Sequence, residues 1–147
     1  MKKYKTGYTT GVFDMFHIGH LNILRRAKSM CDTLIVGVTT DELCLARKHK
    51  LPIIPQSDRV SIIQAIRYVD QVVLQEDMDK LTAVRRLNAD VVFVGTDWEG
   101  TPQWQTYERQ LSEAGCDVVY LPHTDGISST SLAHKAAVAD KDPMPNT

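Results

Sequence analysis

Five short apolar runs, each followed by a stretch of helical period, constrain this chain more than any single residue does. Residues 5–12, 33–39, 70–74, 90–95 and 117–121 read as strands. The run 33–39, Thr-Leu-Ile-Val-Gly-Val-Thr, is nearly continuous in apolar character rather than alternating, the pattern of a strand buried on both faces. Helical patterns fill the gaps. Residues 19–30 place Leu21, Leu24, Ala27 and Cys31 near one stripe, and a short helix opens at Thr40 as N-cap. Arg47 to Lys50 and the two prolines Pro52 and Pro55 read as a loop. The next helix opens at Ser57 as N-cap, with Ile62, Ile63, Ile66 and Val69 inward. Further helices are expected at 79–88, at 102–114 before Gly115, and from Ser128 or Ser129 to about Val138. Strands separated by helices predict an α/β fold, a doubly wound five-stranded parallel sheet with helices on both faces. At 147 residues the chain is read as one domain over 1–139, with 140–147 a disordered tail.

In such a Rossmann-like sheet, ligands bind at the carboxyl ends of the strands, where the strand order reverses. The segments there are Phe13 to His17, Thr40-Asp41, Gly95 to Gly100, and His123 to Thr130, and polar, glycine-bearing sequence recurs among them. The formal net charge is -1, so no global positive field draws the protein to nucleic acid or to an anionic membrane. Neither is expected as a partner, and any anion site must be local. The three cysteines lack paired spacing, and no signal peptide or long apolar span is present, which points to a reducing cytoplasm.

The first of these segments carries the chemistry. His17 and His20 lie three residues apart where the chain turns helical, so their rings can approach one face. Gly19 between them has no Cβ, which lets a base or phosphate come close to the backbone. The first N–H groups of a helix lack intrahelical partners and favour an anion. The pair has no zinc-site company, since C-x-x-C and H-E-x-x-H are absent. A G-x-S-x-G nucleophile elbow and a Walker-type lysine loop are absent too. The second chemical segment is Gly126 with Ile127, Ser128, Ser129 and Thr130 at a helix start. It supplies a compliant turn, hydroxyls and free N–H groups, as a phosphate requires; a plain Ser/Thr N-cap is the simpler structural alternative.

The phrase G-V-F-D-M-F-H-I-G-H, residues 11–20, resembles the G-x-F-D-x-x-H-x-G-H signature of the nucleotidylyltransferase superfamily. Its H-x-G-H element is shared with class I aminoacyl-tRNA synthetases, for which this chain is too short. D-G-I-S-S-T, residues 125–130, resembles the R-T-x-G-x-S-T loop of small cytidylyltransferases. It is also similar to the I-S-S-T-x-x-R loop of adenylyltransferases, except that Ala133 stands where that arginine would be. With Thr40-Asp41-Glu42, Ile66-Arg67-Tyr68-Val69-Asp70, Asp97-Trp98-Glu99-Gly100 and Val119-Tyr120-Leu121-Pro122, the chain resembles the glycerol-3-phosphate cytidylyltransferase family from about Gly7 to Lys135.

That resemblance implies a homodimer that uses CTP, Mg²⁺ and a phosphorylated small alcohol. It implies catalytic roles for His17, His20, Lys48, Lys50 and Arg59. Nucleotide binding is implied for Thr10, Gly11, Phe13, Asp14, Gly19, Arg67, Asp70, Asp97, His123, Thr124, Gly126, Ile127, Ser128, Ser129 and Thr130. Asp41 and Lys48 are implied to bind the acceptor, and Mg²⁺ is implied to ride mainly on the triphosphate, near Asp14. His123 stands where the family's loop has arginine. Several of these residues have simpler structural readings: a solvated loop for Lys48 and Lys50, a helical pair for Arg67 and Asp70, a turn cap for Asp14, and packing for Trp98 and Trp104.

The implied chemistry is CMP transfer from CTP to sn-glycerol 3-phosphate, giving CDP-glycerol and pyrophosphate. A phosphate monoester is largely a dianion near neutral pH, its second pKa being about 6, so no general base is needed. The site must supply positioning and donors that offset charge at the α-phosphorus and on the leaving pyrophosphate. Alternatives are choline, ethanolamine or ribitol phosphate as acceptor, an adenylyltransferase of the same superfamily, or a nucleotide-binding regulator without activity.

Overall fold

A computed structural model describes residues 3–124 and 132–137. The elements are β1 (Tyr4–Gly11), α1 (Ile18–Ser29), β2 (Cys31–Thr39), α2 (Asp41–Lys48), α3 (Gln56–Gln64) and β3 (Gln71–Gln75). Then follow α4 (Lys80–Leu87), β4 (Val91–Gly95), a 3-10 turn (Thr96–Trp98), α5 (Pro102–Glu113) and β5 (Asp117–Leu121). Residues 132–137 are helical. The strands form one sheet in the order β3-β2-β1-β4-β5, and every neighbouring pair is parallel. The order therefore reverses between β1 and β4, and the carboxyl end of β1 is where a ligand crevice is expected.

Alternation along the strands divides the core into two layers. Leu34, Val36 and Val38 of β2 pack with Val91 and Phe93 of β4 against Leu24 and Ala27 of α1 and Ile63 of α3. On the opposite face, Tyr8, Ile35 and Val92 meet Val84 of α4 and Trp104 and Leu111 of α5. Each fully buried aliphatic side chain contributes about 1.5–3 kcal/mol through loss of contact with water, and this holds helices on both faces of the sheet. The doubly wound, five-stranded parallel architecture is the one the strand and helix patterns predict.

Local chemistry sets the helix ends. Leu43 N–H donates to Thr40 Oγ1 at 3.1 Å, and Thr82 N–H donates to Asp79 Oδ1 at 3.0 Å. Asn88 (φ 53) and Gly115 (φ 78) stop the helices that precede β4 and β5 in the left-handed region.

Three expectations need correction. Arg47 and Lys48 are the last turn of α2 rather than loop, because basic side chains suit a helix carboxyl terminus, and His49 (φ 59) ends it. Ser57 is not the N-cap of α3. The helix follows Pro55 without a side-chain cap, and the Gln56 N–H is taken by Asp41 Oδ2 at 3.2 Å. That helix also stops at Gln64, so Ile66, Arg67, Val69 and Asp70 lie beyond it and Ile62 is 39% exposed while Ile63 is fully buried. The expected start of the last helix at Ser128 or Ser129, its end at Val138, and the tail at 140–147 lie outside the described residues.

Candidate active site

The turn after β1 is strained. Phe13 (φ 54) and Met15 (φ 48) both occupy the left-handed region without being glycine, at a cost of about 1–2 kcal/mol each. Two anchors offset this. The Phe13 ring is buried in the α1-side core and passes so close to Gly11 that a Cβ there would sit 3.0 Å from two ring carbons. Asp14 between the two accepts from Ile53 N–H and Ile54 N–H, both at 2.8 Å, tying the turn to the segment that follows the basic run.

His17 is the N-cap of α1 and His20 its third residue. Gly19 N–H donates to His17 Nδ1 at 3.0 Å, and His17 N–H donates to His20 Nδ1 at 3.3 Å. A nitrogen that accepts cannot carry the proton, so each neutral ring holds its hydrogen on Nε2. The rings stack at 3.8 Å between centroids, and Phe13 and Phe16 flank His20, each at 5.4 Å. Burial pushes the His17 pKa down. It pushes His20 further, to about 4, with the neighbouring His17 adding to the effect and Asp14 opposing it. At neutral pH the pair is therefore a set of uncharged Nε2–H donors on a fixed frame, not two cations.

His20 opens onto a cleft of about 520 Å³ at the carboxyl ends of the strands. Thr10, Gly11, Phe13, Asp14, Lys48 and Lys50 line it as well, so seven expected site residues meet around one space. His17 stacks on His20 behind them, and Gly19 is buried at the start of α1.

Other expected residues stand elsewhere. Arg59 is 1% exposed and turned inward: Nε donates to Ile54 O, Nη1 to Val12 O and Thr39 O, and Nη2 to Asp41 Oδ1 at 2.5 Å. All three nitrogens are engaged with protein, so the arginine acts as a strut beneath the cleft rather than as a cation facing it. Asp41 is the other half of that strut, its second oxygen holding Gln56 N–H, and it is not among the residues that line the cleft. Arg67 and Asp70 are not a helical pair. They precede β3, at the amino edge of the sheet, where Asp70 accepts from Lys28 Nζ at 2.6 Å and from Leu34 N–H at 2.7 Å.

At the far side of the switch point, His123 Nε2 and Asp97 Oδ1 are 3.0 Å apart, beyond the ends of β4 and β5, and each side chain is more than half exposed. Thr124 Oγ1 accepts from Asn22 of α1 at 2.8 Å. Trp104 is core, as read from the sequence, and also borders the cleft, as does Trp98, which is 42% exposed. Gly126, Ile127, Ser128, Ser129 and Thr130 lie outside the described residues.

The cleft also holds a cation that the motifs did not point to. Lys80, the first residue of α4, is 4% exposed, and its Nζ donates to Thr10 Oγ1 at 2.7 Å. None of the ion pairs among the described residues includes it. Burial lowers its pKa to about 8, with Arg47 adding to the effect and Asp77 opposing it. A buried ammonium without a carboxylate partner, on the wall of an open cleft, is chemically prepared for an anionic ligand. No group of three or more His, Cys, Asp or Glu side chains able to hold a metal ion is found among the described residues, and no described helix is long and apolar enough to cross a membrane.

Residues 8–135 match the cytidylyltransferase-like family. The chain is 38% identical to the glycerol-3-phosphate cytidylyltransferase of Bacillus subtilis over 130 residues, covering 88% of this chain and 95% of that one. It is 38% identical to the enzyme of the same name from Staphylococcus aureus over 125 residues, 84% of this chain and 89% of the other. It is also 39% identical to an FAD synthase of Pyrococcus abyssi over 116 residues, 77% of each. Among solved structures, a lipopolysaccharide core biosynthesis protein of Thermoplasma volcanium superposes with a TM-score of 0.68 at 25% identity, covering 82% of this chain and 97% of that one. The chain belongs to the cytidylyltransferase-like family, and with it to the nucleotidyltransferase enzymes.

Proposed function

We propose that the protein transfers CMP from CTP to sn-glycerol 3-phosphate, forming CDP-glycerol and releasing pyrophosphate. The observation that carries this reading is the His17–His20 frame, whose Nδ1 atoms are both used as acceptors, with His20 on the wall of a cleft that three lysines also line. A phosphate oxygen of the acceptor attacks the α-phosphorus, and the bond to the bridging oxygen of pyrophosphate breaks. The acceptor is largely a dianion near neutral pH, so no side chain has to take a proton. The histidines donate to oxygens where charge builds, while Lys48 and Lys50 hold the triphosphate. Lys80 meets the acceptor's phosphate.

Mg²⁺ belongs to this reading as the triphosphate's counter-ion. Both Asp14 oxygens already accept backbone N–H groups, and the described residues form no acidic cage, so the phosphate oxygens themselves would hold the ion. The metal offsets charge on the triphosphate when bound. The active protein is a cytoplasmic homodimer in this reading.

Two observations favour glycerol phosphate and cytidine over the alternatives. The glycerol-3-phosphate cytidylyltransferases are similar over a larger share of the chain than the FAD synthase is. Ala133, where the adenylyltransferase loop carries arginine, lies on the cleft wall and offers the triphosphate no charge. A grid of nucleotides against phosphorylated alcohols, with pyrophosphate release as the readout, tests the reading. Turnover of CTP with glycerol 3-phosphate is expected. Turnover of ATP but not CTP would make the protein an adenylyltransferase, and none with any pair in a folded sample would make it a nucleotide-binding regulator.

A further inference from the structure

The end of β3 contributes a second unassigned polar group to the cleft. Thr39 and Gln75 face each other across the β2–β3 ladder, on the same side of the sheet as Thr10. Gln75 is 7% exposed and lines the cleft together with Lys80 and Thr10. The Thr39 hydroxyl donates to Gln75 Oε1 at 2.7 Å, which fixes the amide's orientation. Its Nε2 is left facing Met78, itself on the cleft wall, with Sδ at 3.5 Å. A thioether is a weak acceptor, and Nε2 carries two hydrogens. A buried amide nitrogen in that position gains from any ligand oxygen that reaches it, because the cost of its desolvation is already incurred in the free protein.

We infer that Gln75 is a specificity residue for the acceptor: its Nε2–H₂ binds a hydroxyl oxygen of the alcohol whose phosphate lies at Lys80. This rests on the acceptor reading above. The amide is neutral, so it adds little to phosphate binding, but it distinguishes an acceptor bearing a hydroxyl from one without. Thr39 acts as its positioning residue.

The test compares sn-glycerol 3-phosphate with n-propyl phosphate, which has the same charge and chain length but neither hydroxyl. The parent is expected to favour glycerol 3-phosphate by at least about tenfold in kcat/KM. Gln75→Met, close in volume, is expected to lose about tenfold with glycerol 3-phosphate, the worth of one neutral hydrogen bond. Its kcat/KM with n-propyl phosphate and its KM for CTP should stay within about twofold. Thr39→Val, which frees the amide, is expected to show a smaller loss confined to the same acceptor, and it carries the test if Gln75→Met does not fold. Equal losses with both acceptors, or no loss with either, would overturn the assignment. A parent without turnover would overturn the proposed function instead. Calorimetric binding of the two phosphates then decides the role of Gln75 separately, equal affinities in parent and variant counting against it.

Discussion

His17 and His20 cap one helix together: the His20 ring takes the N–H of His17, and the His17 ring takes the N–H of Gly19. A capping box of this kind normally uses a hydroxyl and a carboxylate. Imidazoles perform the same task and keep Nε2–H out of the cap, so a structural need of the helix start fixes the tautomer that the proposed chemistry uses.

The pair should matter far more for rate than for folding. His17→Ala or His20→Ala is expected to lower kcat by about 10²–10³, comparable to losing one preorganised donor to a developing charge. Loss of a cap costs only about 0.5–2 kcal/mol of stability, so both variants should fold. Steady-state kinetics beside thermal melts separate the two effects; an unchanged kcat would remove that histidine from the mechanism.

The depressed pKa of His20 also makes a stability prediction. Folded, the ring protonates near pH 4; unfolded, near 6.5. Between these values the unfolded chain binds more protons, so stability is full above about pH 6.5, falls as the pH drops toward 4, and levels off below. Because the ring keeps some solvent contact, the loss is on the order of 2 kcal/mol rather than the full shift. His20→Asn should flatten the dependence of Tm on pH in that window. An unaltered slope would assign the acid sensitivity to other groups.

Arg59 distinguishes a strut from a catalyst. Its guanidinium joins the ends of β1 and β2, the start of α2 and the Ile54 carbonyl. Removing it leaves the Val12, Thr39 and Ile54 carbonyls without that donor, at about 1–3 kcal/mol for each one kept from water, while Asp41, 34% exposed, can still be solvated. Arg59→Met is therefore expected to lower Tm markedly. Asp41→Asn, which keeps an oxygen for Nη2, should lower it less. A variant with unchanged Tm and a collapsed kcat would restore Arg59 to a catalytic role.

The fold was legible because burial leaves a periodic trace: 33–39 reads as a doubly buried strand and is one, with Leu34, Val36 and Val38 buried on one face and Ile35 on the other. The turn after β1 was legible because its residues form an unusual phrase. Motifs do not encode which way a side chain points: Arg59, which the family resemblance implies as catalytic, is turned into the protein. Arg67 and Asp70 show the same limit at the scale of the sheet, since a short match carries no sign of which strand end it occupies. Lys80 and Gln75 belong to no phrase. The one signal available was position, because Gln75 ends β3 and Lys80 follows it, at the same carboxyl edge of the sheet where Phe13 to His17 follow β1.

Lys80 supplies a pH signature of its own. Its pKa of about 8 in the folded protein, against 10.5 for an ordinary lysine, comes mainly from burial. The folded state thus releases its proton before the unfolded state does, and the free enzyme loses this cation as pH rises through about 8. If the ammonium holds the acceptor's phosphate, kcat/KM for the acceptor should fall on that alkaline side, while KM for CTP changes little. Bound phosphate raises the pKa again, so kcat at saturating acceptor should hold to higher pH than kcat/KM does. Arginine stays charged throughout, and Lys80→Arg is expected to remove the alkaline fall in kcat/KM even if the bulkier fork lowers its plateau. Lys80→Met should raise the acceptor KM at every pH by roughly tenfold or more, as expected for a charge-assisted hydrogen bond worth about 1.5–3 kcal/mol. The measurement is kcat/KM for sn-glycerol 3-phosphate from pH 6.5 to 9.5 at fixed ionic strength and saturating CTP, for the parent and both variants. Alkaline limbs that superimpose for parent and Lys80→Arg would show that Lys80 does not carry the acceptor's phosphate.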